Sequence, residues 1–198
     1  MFDATLRTRE SPPASWRIFR YPSAEIDRIA LPDGRVVTIR PVLPQDADAE
    51  QDLVRSLSAA SRHRRFHMGV NALTPPMLQS MTHIDYQTQF ALVAESAESG
   101  IEYEPRLIAD ARYVCMQAED ASASAEFAIL VADDWQGVGL GAALMRRLMV
   151  HARRQGLRRL FGEVLAENAP MLALMQRLGA RVTPLPAEID LVRASFSL

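Results

Sequence analysis

Along this chain the spacing of apolar residues switches between a period of two and a period near 3.6, and the switches outline its elements. Apolar runs at 26–31 and 36–42 flank Pro32-Asp33-Gly34, a turn signature that predicts a hairpin. Pro44 and Asp46 then open a helix whose first turns carry Asp46, Asp48, Glu50 and Asp52, the charge sign that a helix start favours. A short helix is expected over about 58–67, and Pro75-Pro76 begins a third that reaches Met81. Three strand-like runs follow at 88–95, 106–116 and 123–132, joined by polar segments at 96–100 and 119–122 that read as antiparallel hairpin turns. Over 138–155, Leu140, Leu144, Met145, Leu148, Met149 and Ala152 keep helical spacing. Arg146, Arg147, Arg153 and Arg154 mark the outer face, where His151 is expected to be solvated, and Gly156 is a natural stop. A strand at 157–165 completes a β–loop–α–β crossover with parallel flanks. A shorter helix at 169–178 ends at Gly179, and strands at 180–185 and 189–196 close the pattern. Residues 1–25, polar and interrupted by Ser11-Pro12-Pro13 and Tyr21-Pro22-Ser23, read as a loosely ordered linker ahead of one domain over 26–198.

Composition narrows the class. With 198 residues, 48% of them hydrophobic, the chain has enough for one well-buried α/β domain. A net charge of −2 advertises no face for nucleic acid or acidic membrane. The single cysteine, Cys115, lies in a strand with Val114 and Met116 and reads as core, which excludes an internal disulfide and fits a reducing compartment. The first residues carry Asp3, Arg7, Arg9 and Glu10 rather than a signal sequence, and the longest apolar run, 127–132, is too short for a membrane span. A cytoplasmic monomer or homodimer is expected. His63, His67, His83 and His151 have no ligand spacing with Cys115, so no metal is expected. All 22 basic residues are arginine. That excludes mechanisms built on a lysine nucleophile or lysine phosphate anchor.

The most informative segment is Gln136-Gly137-Val138-Gly139-Leu140-Gly141, between a strand and a helix. Glycines let the backbone approach a diphosphate, and the unpaired N–H groups of a helix start point at the anion. A dinucleotide site is disfavoured because the loop comes late, after an antiparallel meander, with a single crossover. A P-loop needs the lysine that is missing. Close packing in a tight turn remains open for any one glycine.

This segment resembles the Q/R-x-x-G-x-G/A loop of the GNAT N-acetyltransferase superfamily, and the element order β-β-α-α-β-β-β-α-β-α-β-β resembles that fold over about residues 30–198. Thr38-Ile-Arg-Pro41, Thr82-His-Ile-Asp-Tyr86, Ala91-Leu-Val-Ala-Glu95, Ala125-Glu-Phe-Ala128 and Gly162-Glu-Val-Leu-Ala-Glu-Asn168 are similar to the acetyltransferase domain of bacterial protein-lysine acetyltransferases. Many of those are fused behind an acyl-CoA synthetase-like module, so the resemblance implies a free-standing version with a vestigial linker. It implies an α/β (α+β) fold with a mixed, mostly antiparallel sheet of about seven strands and four to five helices. Acetyl-CoA is then the co-substrate. Backbone groups of Ile129, Leu130 and Val131 would pair with its pantetheine arm, Gln136 and residues Gly137, Val138, Gly139, Leu140, Gly141 and Ala142 would hold the diphosphate, and Asn168 with Met171 would form the second cofactor motif. Asn168 also reads as an N-cap.

Acetyl transfer to an amine needs the neutral base, and a lysine with pKa near 10.4 is protonated at pH 7 at a cost of about 4–5 kcal/mol. Glu126, in an otherwise apolar strand, occupies the Ala-Glu-Phe-Ala context in which the resembling enzymes carry their general base. Alternation alone reads it as a strand glutamate pointing to water. Met175 departs from the family pattern, standing where many of these enzymes have a tyrosine acid, which leaves the acid unassigned. The expected acceptor is a protein lysine, with a small amine as the alternative. A non-catalytic acyl-CoA sensor is the alternative outside enzymes. Glu95, Glu98, Glu102 and Glu104 read as a solvated hairpin tip, with an acidic rim for lysine as the sharper alternative.

Overall fold

The turn at Pro32-Asp33-Gly34 closes as its residue types require, with Gly34 at φ +87° and the Gly34 N–H donating to the Leu31 carbonyl. It joins strand β1 (Asp27–Ala30) to β2 (Val36–Pro41), and from there the computed structural model follows the element order the periodicity predicts. It describes residues 20–67, 70–96, 106–116, 123–186 and 188–198. Helices α1 (Ala47–Ser56), α2 (Ala59–Phe66) and α3 (Pro75–Thr82) precede the meander β3 (Gln89–Ser96), β4 (Arg106–Cys115) and β5 (Ser124–Val131). Helix α4 (Leu140–Arg154), strand β6 (Arg159–Leu165), helix α5 (Ala169–Arg177) and strands β7 (Arg181–Leu185) and β8 (Glu188–Ser197) complete it. Among the described residues the sheet has eight strands in the order β1-β2-β3-β4-β5-β6-β8-β7, one more than the seven or so that the resemblance implies, and only β5 and β6 run parallel. Of the hairpin turns expected at 96–100 and 119–122, Ser96 instead ends β3 and the rest lies outside the described residues, as do residues 1–19 of the expected linker. The rest of that linker is anchored: the Tyr21 hydroxyl donates to the Pro41 carbonyl at 3.0 Å, and its ring meets Tyr86 edge-on.

Alternation along β4 divides the layers. Asp110 and Arg112 face α1 and α3: the Arg112 guanidinium donates to Asp110 at 2.8 Å and to the Met81 carbonyl at 2.9 Å, and Glu50 of α1 lies 3.5 Å away. Tyr113 faces the other way, onto α4. Burial pushes the Glu50 carboxyl well above the usual carboxylate range, helped by the neighbouring Asp110. Among the described residues no helix is long and apolar enough to cross a membrane.

His151 is not solvated. It is 4% exposed, stacks 3.5 Å from the Phe90 ring and shares a 2.9 Å hydrogen bond with the Tyr113 hydroxyl. The arginines beside it mark the right face, but helical rotation places position 151 at the edge of the apolar stripe, next to Leu148 and Ala152. Glu95 is equally committed, accepting from Arg40 at 2.6 Å, so it adds nothing to an acidic rim; Glu98, Glu102 and Glu104 lie outside the described residues.

Burial lowers the His151 pKa, so on acidification the unfolded chain takes up a proton that the folded one refuses. Stability is therefore expected to fall as pH drops below about 6.5, by at most about 1.4 kcal/mol per unit. Denaturant titrations of wild type and His151→Gln across this range check it, since the variant should be less stable but lack that part of the slope.

Candidate functional site

Strands β5 and β6 are aligned at only three positions, Ser124–Arg159, Ala125–Leu160 and Glu126–Phe161, and part beyond them. At the next residues a Cβ on Gly162 would lie 2.8 Å from the Phe127 ring and 2.9 Å from the Phe127 carbonyl, so this ring crosses β6 at the one residue without a side chain. From Phe127 to Val131 the edge of β5 that faces β6 has no strand partner among the described residues. A cleft of about 1050 Å³ fills the gap, walled by β5 on one side and by Glu163, Val164 and α5 on the other.

The glycine loop forms the mouth of this cleft. Gly137 (φ +76°) and Gly139 (φ +95°) hold left-handed conformations that a side chain would strain. Helix α4 starts without a side-chain cap, so the N–H groups of residues 140–142 are open, as an anion site requires. Three distant segments hold the loop. Pro32 of the first hairpin would meet a Gly139 Cβ at 3.2 Å, and Leu174 of α5 would meet a Gly141 Cβ at 3.2 Å. Asp133 accepts from the Ser58 backbone at 2.7 Å and the Ser61 hydroxyl at 2.5 Å, tying the loop to the start of α2. Arg35 donates to the Asp134 carbonyl at 3.1 Å and covers the Trp135 ring at 4.1 Å.

Of the residues singled out in the sequence, Glu126, Ile129, Leu130, Val131, Gln136, Gly137, Val138, Gly139, Gly141, Ala142, Asn168 and Met171 all border the cleft. The Leu140 side chain does not; it is fully buried in the core, leaving only its backbone at the helix start. The Gln136 amide turns back to the Val131 carbonyl at 3.0 Å and the Ser61 hydroxyl at 3.3 Å, which makes it a strut of the loop. Asn168 caps α5, accepting from the Met171 N–H at 3.3 Å, while its amide nitrogen has no partner among the described residues. Met175 is fully buried and offers no proton donor.

Glu126 is the last β5 residue in register with β6 and is exposed, standing between Val114 of β4 and Phe161 of β6. Sequence reading overlooked its neighbours from α2. Ser61, Arg64, Arg65 and His67 line the same cleft. Arg65 feels the charges of Asp110, Glu50 and Glu126; burial pulls its guanidinium below the ordinary arginine value, and its buried Nε has no partner among the described residues. Arg146 and Arg177 add cations at the mouth. No cluster of metal-ligating side chains occurs among the described residues.

The family model described as "Acetyltransferase (GNAT) family" matches residues 76–180. The chain belongs to the GNAT acetyltransferase family. GNAT enzymes take their acetyl group from acetyl-CoA, and this chain is an N-acetyltransferase of that kind. Acetyltransferase PA5475 of Pseudomonas aeruginosa is 39% identical over 150 residues, 76% of this chain and 77% of that protein. Acetyltransferase Pat of Mycolicibacterium smegmatis is 36% identical over 142 residues, 72% of this chain but only 40% of that protein. The GNAT domain of S. lividans PAT superposes with a TM-score of 0.80 at 29% identity, over 90% of this chain and 100% of that domain. The eight-stranded, mostly antiparallel sheet is accordingly a GNAT fold.

The crossing at Gly162 is directly testable. Gly162→Ala places a methyl group against Phe127 and is expected to cost roughly 1–3 kcal/mol of stability. Because the same contact sets the width of the cleft, calorimetry should also show weakened acetyl-CoA binding.

Proposed function

We propose that this chain acetylates the ε-amino group of lysines in proteins, with Glu126 as general base. The observation that carries this reading is the position of Glu126, at the fork where β5 and β6 part. From there its carboxylate meets both the interior end of the cleft and an open sheet face. The open face favours a protein acceptor over a small amine: Val114 and Met116, on the β4 side of Glu126, are 41% and 46% exposed, apolar ground suited to a lysine stem.

The donor fits the cleft. Its diphosphate would take the open N–H groups of residues 140–142 and the close approach that Gly137 and Gly139 allow, with Arg146 or Arg177 near the mouth for further anionic charge. The unpaired edge of β5, through Ile129 and Leu130, would hydrogen-bond the amide-bearing pantetheine as a substitute strand, with the free Asn168 amide opposite. The Val131 carbonyl is already engaged by Gln136, so pairing there falls to the remaining lone pair and the N–H.

In the reaction, lysine enters as an ammonium ion and loses a proton to Glu126, directly or through one water. The neutral nitrogen then attacks the thioester carbonyl carbon. The C–N bond forms, the C–S bond breaks, and the second nitrogen proton leaves to solvent. Met175 cannot protonate the departing sulfur, but a thiolate is stable enough to leave unaided and take its proton from water.

Replacing Glu126 by Gln keeps the shape and removes the base, so kcat/KM is expected to fall by about 10²–10⁴-fold. Acetyl-CoA binding should stay near wild type. A thiol-release assay with lysine peptides checks this, and unchanged turnover in the variant would remove Glu126 as base.

A further inference from the structure

The sheet face beside Glu126 carries a second feature that acetyl transfer itself does not use. Glu126 and Phe161 are register partners in adjacent parallel strands, so their side chains leave the same face. Phe161 is flanked by two guanidinium groups, with the Arg159 carbon 5.0 Å and the Arg193 carbon 4.9 Å from its ring centre. Arg193 also donates to Glu163 at 2.7 Å, yet its buried Nε has no partner among the described residues. Arg159 is exposed and has no acidic partner among the described residues. Helix α5 packs on the opposite face, where Leu174 approaches Gly141 and Ile129; on the arginine-bearing face Phe161 is buried, Arg193 half-buried and Arg159 exposed.

Stacking on an aromatic ring fixes a guanidinium plane and leaves its N–H edge for a planar acceptor, and carboxylate is the match. Resting on the lysine-acetyltransferase reading above, we infer that the enzyme selects lysines flanked by acidic residues. Glu126 draws the lysine ammonium, while Arg159 binds a neighbouring aspartate or glutamate of the same acceptor segment, and Arg193, paired with Glu163, backs the Phe161 ring. A cationic neighbour is repelled there.

The geometry sets the spacing. Arg159 lies two residues from Phe161 along β6, about 7 Å, and Arg193 lies on β8, two strand spacings of about 5 Å from β5. An extended peptide advances about 3.3 Å per residue, so the acidic side chain belongs roughly two or three positions from the lysine.

The test uses the full chain, acetyl-CoA and short synthetic peptides of equal length. Each carries one central lysine, with aspartate, alanine or arginine two and three positions away. At low ionic strength kcat/KM for the aspartate peptides should exceed that for the arginine peptides by about fivefold, as expected for one solvent-exposed charge contact. The preference should shrink in high salt. Arg159→Gln should reduce it and Arg159→Glu should abolish or invert it, with acetyl-CoA binding by calorimetry confirming that each variant is folded. Equal rates across the three peptide classes, or an aspartate preference untouched by Arg159→Glu, overturn the charge inference and leave the lysine reading standing. Turnover of small amines alone, with every lysine peptide inert, overturns the lysine reading and this inference with it.

Discussion

The site depends on strand pairing that stops early. A sheet gains by satisfying every backbone group between its strands, and leaving one unsatisfied away from water costs roughly 1–3 kcal/mol. Here pairing between β5 and β6 ends after Glu126 and Phe161, and the Phe127 ring packs over Gly162 just where it ends. The open groups from Phe127 onward must find water or ligand. The early end of this pairing opens the cleft, leaves an unpaired edge of β5 inside the sheet, and puts Glu126 at the junction of the two.

What surrounds the gap is built to hold still. The glycine loop is backed by the first hairpin, by the start of α2 and by α5, through Pro32, Asp133 and Leu174 respectively. Fixing the loop in advance removes conformational entropy that binding would otherwise have to overcome. The same Asp133 links that fix the loop also place α2, so Arg64 and Arg65 reach the cleft from a helix whose position follows the loop. Beneath α2, Arg112 binds Asp110 beside Glu50 in a buried charged cluster. Removing one member would strand the others' charges in the interior, where an unpaired ion costs several kcal/mol.

Local signals told the elements but not their partners. Period-two and helical spacing predict the eight strands and five helices among the described residues to within a few positions, and the glycine pattern marks the loop that borders the cleft, because these depend on neighbours in the chain. His151 was misread since periodicity gives a face and not what waits there: its partner Tyr113 is 38 residues away. Gln136 meets Ser61 across 75 residues, and Arg65 enters the site from a helix that reads as a charged surface. Phe161 with Arg159 and Arg193 is legible only once β6 and β8 are known to be neighbours.

The short seam has a mechanical meaning as well. Three aligned pairs join β5 to β6, against seven between β4 and β5 and seven between β6 and β8. The molecule therefore has a crease, with β6, β7, β8 and α5 forming a leaf hinged on the larger body. A donor bound in the gap as proposed would act as a splint across it, and the leaf is the part whose amide exchange should then respond most to occupancy. Weakening anywhere in that leaf would first loosen the hinge, and would register as poor donor affinity well before the protein unfolds.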